Sequence, residues 1–238
     1  MAFWNSNLMA NTAWSDNISH REAKQVVADR IAARVKDGDI IGVGSGSTAL
    51  LALIAIAKRI TTEKLNIKAI PTSLEILMTC SRLGVPLTDL TSHKPDWLFD
   101  GADEVDPNHN LIKGRGGAMF KEKLMLRSSR KNFIIVDNSK LVDKLGQNFP
   151  VPVEVFPASI TFVESELLKL GVTDLVLRPA KGKDGPVITE NGNFIIDAHF
   201  KEIYNELEQD IKSITGVIES GLFMNYHPEV LVAKIQAA

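Results

Sequence analysis

The residues with the clearest chemical potential lie in the segment FDGADEVD, which places four acids within eight residues, 99–106. An EF-hand calcium loop needs oxygen ligands at alternate positions, a central glycine and a terminal glutamate. Asp100, Asp103 and Asp106 are instead three residues apart, so the spacing excludes that site. A magnesium site stays open, although no histidine or second carboxylate motif supports it. We interpret Asp100 and Asp103 as ligand-binding groups and Glu104 and Asp106 as part of a solvated loop with a local structural role.

A glycine-rich segment, GVGSGSTA, occupies residues 42–49 between a predicted strand and a predicted helix. Glycines let the backbone approach a ligand, and a helix start presents free N–H groups, so the segment suits a phosphate. Ser47 stands where G-x-G-x-x-G requires its last glycine, and no P-loop Gly-Lys-Ser/Thr follows. The pattern therefore favours a small phosphorylated metabolite over a dinucleotide or a nucleoside triphosphate. The alternative is a tight turn with Ser47 or Thr48 as helix cap.

A lysine and a glutamate flank a second glycine-rich turn. Lys113 precedes Gly114-Arg115-Gly116-Gly117, and that turn opens a predicted helix. Glu122 lies on this helix, and its neighbours three and four positions away are apolar: Ala118, Met119, Met125 and Leu126. Burial on such a face should raise the pKa of the carboxyl toward the range of a general base. Lys121 has nearly as apolar a neighbourhood, but its long stem can carry its charge to water.

These groups need elements to position them, and the first part of the chain alternates strands with helices. Apolar runs such as IIGVG, PDWLFD and NFIIVD alternate with helical patterns up to about Pro150. This alternation predicts an α/β domain with a Rossmann-like, mostly parallel sheet flanked by helices on both faces. In such sheets ligands bind beyond the carboxyl ends of the strands, so residues 42–49, Asp100 and Asp103 should face one crevice. Lys140, after the last of these strands, either reaches that crevice or is an ordinary surface lysine.

The regular alternation of predicted strands and helices ends at about Pro150. The pattern there predicts a smaller α+β domain with a split β-α-β, ferredoxin-like arrangement. Asn191-Gly192 suits a type I′ turn of a hairpin within it. The predicted organisation begins with an N-terminal extension at 1–20, which either is disordered or docks on a partner subunit. A Rossmann-like catalytic domain follows at 21–150 plus about 219–238, and a smaller domain at about 151–218 is a candidate for oligomerisation.

Composition narrows the classes of partner. The chain has 238 residues, 45% of them hydrophobic, and a formal net charge of −2, which gives no general electrostatic reason to bind nucleic acid or an anionic membrane. We see no membrane span and no signal peptide. Cys80 is the one cysteine, so no intramolecular disulfide can form, which fits a reducing cytoplasm. Its helical setting favours a buried structural thiol over a nucleophile.

Five segments occur in a recognisable order: GVGSGSTA, PTS at residues 71–73, DGADEVD, KGRGGAMFKEK and IVDNSK. From about Glu22 to the C-terminus, the chain resembles the type A ribose-5-phosphate isomerases. The resemblance implies interconversion of D-ribose 5-phosphate and D-ribulose 5-phosphate in the pentose phosphate pathway. It also implies a cytoplasmic homodimer or homotetramer that needs neither a metal nor another cofactor.

The resemblance also implies roles for individual residues. Glu122 is the proton acceptor, Lys113 stabilises charge on oxygen, Asp100 assists ring opening and hydroxyl proton transfer, and Asp103 orients the sugar. Substrate contacts are expected at Ser45, Gly46, Ser47, Thr48, Asp100, Gly101, Ala102, Asp103, Lys113, Gly114, Arg115, Gly116 and Lys140. Whether residues 45–48 hold the phosphate or the sugar end stays open, with the phosphate favoured. Ser45 often appears as threonine in relatives, and Arg115 sometimes as glycine, which are mild departures.

Three other classes of α/β protein are weighed against this family. A non-catalytic sugar-phosphate sensor domain would keep residues 42–49 but would need no base such as Glu122, and it usually carries a DNA-binding helix pair that this sequence does not show. Coenzyme A transferases share similar α/β folds. A Rossmann oxidoreductase would show G-x-G-x-x-G with an acid at the end of the next strand, which is missing.

Overall fold

The structure is a computed structural model that describes residues 18–234. The predicted N-terminal extension therefore lies outside the described residues, apart from residues 18–20. The elements in chain order are α1 (Arg21–Ala32), β1 (Ile40–Val43), α2 (Ser47–Glu63), β2 (Lys68–Pro71), α3 (Leu74–Arg82), β3 (Trp97–Asp100), β4 (Glu104–Val105), β5 (Leu111–Ile112), α4 (Met119–Ser128), β6 (Asn132–Asp137), β7 (Val151–Val155), α5 (Ile160–Lys169), β8 (Val172–Leu177), β9 (Phe194–Phe200), α6 (Leu207–Ser213), β10 (Val217–Ser220), β11 (Leu222–Phe223) and β12 (Glu229–Ala233). Short 3-10 turns lie at Asn138–Lys140 and Pro157–Ser159.

The described chain divides into two compact units. One comprises the residues up to Gly101, Met125–Asn138 and the chain from Val230; the other comprises Ala102–Leu124 and Ser139–Glu229. This division differs from a boundary near Pro150, because residues 102–124 and 139–149 group with the smaller domain. The physical reason is that β4 and β5 pair with β11 rather than with the strands of the first unit.

The first unit is built on a five-stranded sheet in the order β12-β6-β3-β1-β2. The pairs β2–β1, β1–β3 and β3–β6 are parallel. All four residues of β3 are buried, which means that both faces of this central strand are covered. Trp97 and Phe99 face one apolar cluster with residues of α1, α2 and α3, while Leu98 is buried on the opposite face. The predicted Rossmann-like sheet is confirmed.

The second unit follows the order β7-α5-β8-β9-α6-β10, which is the split β-α-β arrangement that the sequence predicts. Its four strands form an antiparallel sheet in the order β10-β7-β9-β8. A three-stranded antiparallel sheet, β11-β5-β4, is an additional feature. Each of these three strands has only two residues, too few to show the alternation by which a strand is predicted.

The predicted type I′ hairpin turn at Asn191-Gly192 is wrong. That turn needs a positive φ at both central residues, and of the two only Gly192 has one, at 80°. The chain before the turn is not a strand, and Gly192 N–H donates to Thr189 O at 2.9 Å. The reason lies in the side chains, because Thr189 and Asn193 turn inward to the buried carboxylate of Glu154, at 2.7 and 2.9 Å.

Across residues 18–234, none of the helices combines the length and apolar character that crossing a membrane requires.

Candidate active site

The first group of candidate residues lies where β1 and β3 end side by side. Gly44 N–H donates to Phe99 O at 2.8 Å, and Asp100 Oδ1 accepts from Ser45 N–H at 3.1 Å and Gly101 N–H at 2.7 Å. Asp100 is 1% exposed. A Cβ on Gly44 would lie 2.0 Å from the carboxyl carbon of Asp100, so glycine is needed for the carboxylate to lie against this loop. The loop and Asp100 share one end of the sheet, as predicted.

The helix that follows the loop begins at Ser47, and its N-cap is Gly46, with φ of 100°. The alternative in which Ser47 or Thr48 caps the helix is therefore wrong. Gly46 has no side chain with which to cap this end. A 17-residue helix thus presents its first amide groups and the positive end of its dipole beside Asp100. This arrangement suits an anion.

Lys24 in α1 is a buried cation that is not among the predicted site residues. Its Nζ lies 3.5 Å from Oδ2 of Asp137, the last residue of β6, and the two side chains are 7% and 10% exposed. Lys24 shares its buried helix stripe with Val27, Ala28 and Ile31. The neighbours of Lys24 three and four positions later, Val27 and Ala28, are apolar, but His20 and Arg21 before it are polar, so the sequence signal that singles out Glu122 is only half present here.

The second group, in the other compact unit, begins at Asp103. Its Oδ2 accepts the backbone N–H of Arg115 at 3.0 Å, which ties it to the turn after Lys113. That turn is closed by Gly117 N–H donating to Gly114 O at 3.0 Å. Gly114 has φ of 106°, in the region that favours glycine. Arg115 and Gly116 are exposed at the tip of the turn.

Lys113 and Glu122 form a buried ion pair. Lys113 Nζ lies 3.4 Å from Glu122 Oε2, and the two side chains are only 4% and 5% exposed. The apolar surroundings of Glu122 are as predicted, with Met119, Met125 and Leu126 all buried. The sequence does not show that a lysine ammonium faces this carboxylate. Burial favours the neutral acid, whereas the neighbouring positive charge favours the carboxylate that a base requires.

The residues on either side of Glu122 hold α4 in place. Lys121 Nζ lies 2.7 Å from Glu190 Oε2, so this lysine has an ion-pair partner as well as access to water. Lys123 Nζ is buried and lies 2.7 Å from Glu208 Oε1 and 2.9 Å from Glu219 Oε1. Three consecutive charged side chains therefore each have an oppositely charged partner, which fixes the rotation of the helix about its axis.

The other acids of FDGADEVD have structural roles. Glu104 is fully buried and accepts the backbone N–H groups of Gly146, Asn148 and Phe149 at 2.7, 2.5 and 2.9 Å. Its predicted structural role is confirmed, but its predicted solvation is wrong, because these amides replace water. Asp106 accepts from the amides of the turn that follows it, including Asn110 N–H at 2.8 Å.

The remaining predicted contacts lie at the ends of strands. Gly101 follows Asp100, and a Cβ there would approach Ser45 O at 3.2 Å. Ala102 is partly buried and leads to Asp103. Lys140 closes the 3-10 turn after β6, with its Nζ 5.0 Å from the centre of the Phe149 ring. Between residues 18 and 234, no three His, Cys, Asp or Glu side chains are grouped so that they could hold a metal ion.

Comparison with known proteins identifies the family. The profile of the family described as Ribose 5-phosphate isomerase A (phosphoriboisomerase A) matches residues 68–237. The chain belongs to this family. Ribose-5-phosphate isomerase A of Thermosynechococcus vestitus is 43% identical, with 90% of this chain and 92% of that protein covered. The same enzyme of Archaeoglobus fulgidus is 46% identical, with 84% and 89% covered.

Solved structures agree with the sequence comparison. The ribose 5-phosphate isomerase A of Methanocaldococcus jannaschii superposes with a TM-score of 0.86 at 42% identity, covering 90% of this chain and 96% of that one. A D-ribose-5-phosphate isomerase in complex with phospho-erythronic acid gives 0.87 at 37% identity, covering 91% and 96%. The family that the sequence resembles is confirmed, and the sensor-domain alternative is not supported.

Proposed function

We propose that Glu122 is the base with which this isomerase interconverts D-ribose 5-phosphate and D-ribulose 5-phosphate, the reaction of its family. The observation that carries the assignment is the buried pair of Glu122 with Lys113, 3.4 Å apart. A carboxylate that takes a proton from carbon must be ionised yet shielded from water. The Lys113 ammonium supports the first condition, and burial of both side chains provides the second.

The proton transfer can be followed atom by atom. Glu122 removes the proton from C2 of the open-chain aldose, and the electron pair forms the C1–C2 double bond of an enediolate while charge develops on O1. Lys113 is placed beside the base and stabilises this oxyanion. Asp100 passes the hydroxyl proton of O2 to O1, which becomes the C1 hydroxyl, while Glu122 returns its proton to C1 and the C2 carbonyl of the ketose forms. One carboxylate thus serves as base and then as acid.

Asp100 and Asp103 handle the hydroxyl groups in this proposal. Asp100, held by two backbone amides, assists ring opening and moves a hydroxyl proton. Asp103, held by the amide of Arg115, orients the sugar. Because amide hydrogen bonds already fix each carboxylate, neither side chain has to reorient when the substrate binds.

The phosphate is assigned to residues 45–48 and Lys140. The support is the N-terminus of α2, which begins after Gly46 and whose amide groups and dipole attract an anion, together with the hydroxyl groups of Ser45, Ser47 and Thr48. Lys140 adds a positive charge and a hydrogen-bond donor. The remaining proposed substrate contacts are Gly101, Ala102, Gly114, Arg115 and Gly116. We place the enzyme in the cytoplasm as a homodimer or homotetramer, as the resemblance implies.

Phospho-erythronic acid is expected to inhibit this chain in competition with substrate. It carries a phosphate and a planar carboxylate, and the carboxylate resembles the planar enediolate. A relative has been solved with this compound bound, which makes it a suitable probe. Inhibition that is not competitive with ribose 5-phosphate would contradict the assignment.

The direct test is to incubate the chain with ribose 5-phosphate and follow the formation of ketopentose. The wild-type chain should be active, and Glu122→Gln should lower kcat by about 100- to 10,000-fold, the usual contribution of general acid–base catalysis. Glu166→Gln, which removes a partly exposed carboxylate of α5, is the matched control and should leave kcat unchanged. A Glu122→Gln variant with near wild-type turnover would show that the base lies elsewhere.

A further inference from the structure

An arginine of the smaller sheet reaches the turn between Lys113 and α4. Arg178 directly follows β8 and binds Asp197 of β9 through both oxygens of the carboxylate, with Nε 2.8 Å from Oδ2 and Nη2 2.5 Å from Oδ1. The two side chains are 16% and 17% exposed. Two parallel hydrogen bonds fix the plane of the guanidinium as well as its position.

The third nitrogen of that guanidinium binds the backbone of the turn. Arg178 Nη1 donates to the carbonyl oxygens of Gly114 at 2.9 Å and Arg115 at 3.0 Å. One rigid, charged group therefore holds two consecutive peptide groups directly after Lys113. A lysine could not replace it, because an ammonium cannot bind Asp197 through two parallel bonds and also keep a planar donor on the turn.

The peptide group between Gly114 and Arg115 is held at both ends. Its carbonyl oxygen accepts from Arg178, and its N–H donates to Asp103 Oδ2 at 3.0 Å. In a planar trans peptide the C=O and N–H bonds point in opposite directions, so fixing the oxygen directs the hydrogen toward Asp103. The positive charge of Arg178 also polarises the peptide and strengthens the N–H as a donor.

We propose that Arg178 is a positioning residue for the isomerisation, acting through the Gly114–Arg115 peptide on Asp103 and on the backbone after Lys113, with Asp197 holding the arginine in place. The inference rests on the proposed function, in which Asp103 and Lys113 contact the sugar. Arg178 touches neither the substrate nor the reacting atoms in this scheme. Its loss leaves the Gly114 carbonyl held, within residues 18–234, only by the N–H of Gly117, so the peptide is less restrained and its N–H is a weaker, less well directed donor to Asp103.

The test compares Arg178→Gln and Arg178→Lys with the wild-type enzyme. A misplaced catalytic group of this kind costs on the order of 10- to 100-fold in kcat/KM, and we expect that loss in Arg178→Gln and a smaller one in Arg178→Lys. Combining Arg178→Gln with Asp103→Asn should lower kcat/KM by less than the product of the two single losses, because both changes act on the Gly114–Arg115 peptide group. Lys169→Gln, at an exposed ion pair of α5, is the control and should keep wild-type kinetics.

A second readout does not depend on activity. The peptide after Arg115 is exposed, and release of the turn should speed its cleavage by trypsin in Arg178→Gln, as seen by mass spectrometry of the folded enzyme. Wild-type kcat/KM in Arg178→Gln would overturn the inference, and so would a double variant whose loss equals the product of the two single losses. If Arg178→Gln fails to fold, the same two measurements are made with Arg178→Lys: its own kcat/KM, and the kcat/KM of its combination with Asp103→Asn. An inactive wild-type chain would instead refute the proposed function.

Discussion

Replacing Glu122 by glutamine should destabilise the folded chain as well as slow the reaction. The change leaves the Lys113 ammonium buried without its counter-charge. At the observed 3.4 Å, two unit charges attract by about 5 kcal/mol at an effective dielectric constant near 20. Desolvation offsets part of this attraction in the native pair, but removing one partner typically costs about 3–5 kcal/mol. We expect a loss of that size in the free energy of unfolding.

Removing both charges should restore much of this stability without restoring activity. Lys113→Met combined with Glu122→Gln removes the ammonium that the single change leaves without its carboxylate, so the free energy of unfolding should lie closer to the wild-type value than in Glu122→Gln alone. Urea denaturation followed by circular dichroism measures this order, and ketopentose formation measures the activity. Glu166→Gln, at a partly exposed position, supplies the control for a simple loss of a carboxylate.

Two results would refute this reasoning. If Glu122→Gln unfolds at the wild-type urea midpoint, the ion pair does not contribute as its burial indicates. If the double variant is less stable than either single variant, the buried ammonium is not the source of the destabilisation. An active double variant would also remove both residues from the proposed chemistry.

Three further outcomes are expected. Dialysis against a strong chelator should leave activity unchanged, because Lys113 supplies the positive charge at the oxyanion; a loss that added Mg²⁺ restores would contradict this. Burial raises the pKa of the Cys80 thiol to about 12. Iodoacetamide at pH 8 should therefore alkylate Cys80 in urea but scarcely in the native chain, and equal rates would show an exposed thiol. Glu104→Gln should lower the unfolding midpoint measurably, since an amide is a weaker acceptor than a carboxylate for three backbone N–H groups; an unchanged midpoint would show that those bonds add nothing.

The sheet and the order of its elements could be predicted because the signals are local. Strands β1, β3 and β6 of the first unit are short apolar runs next to glycine or an acid, and the helices show their own periodicity. Glu122 could be found in the same way, from apolar neighbours one turn away on the same helix. The structural role of Glu104 could be anticipated only in outline, since its partners lie 42 to 45 residues further along the chain.

Features that depend on distant partners could not be predicted. The Asn191-Gly192 pair has the composition of a type I′ turn, but Glu154, 39 residues before Asn193, draws the side chains inward and changes the turn. The local sequence does not single out Arg178, because an arginine after a strand is common. Its proposed positioning role depends on hydrogen bonds to carbonyl groups 63 and 64 residues earlier in the chain. Side-chain partners across such separations are set by packing rather than by local pattern.

The contact between Gly44 and Asp100 has a consequence for redesign of the enzyme. In many phosphate-binding loops a glycine makes room for the ligand, whereas the missing Cβ here makes room for the protein's own carboxylate, 2.0 Å from where that carbon would lie. A mutant library aimed at other sugar phosphates can therefore vary residues 45–48, but position 44 can change only together with position 100. The two sites behave as one unit of variation, although 56 residues separate them in the sequence.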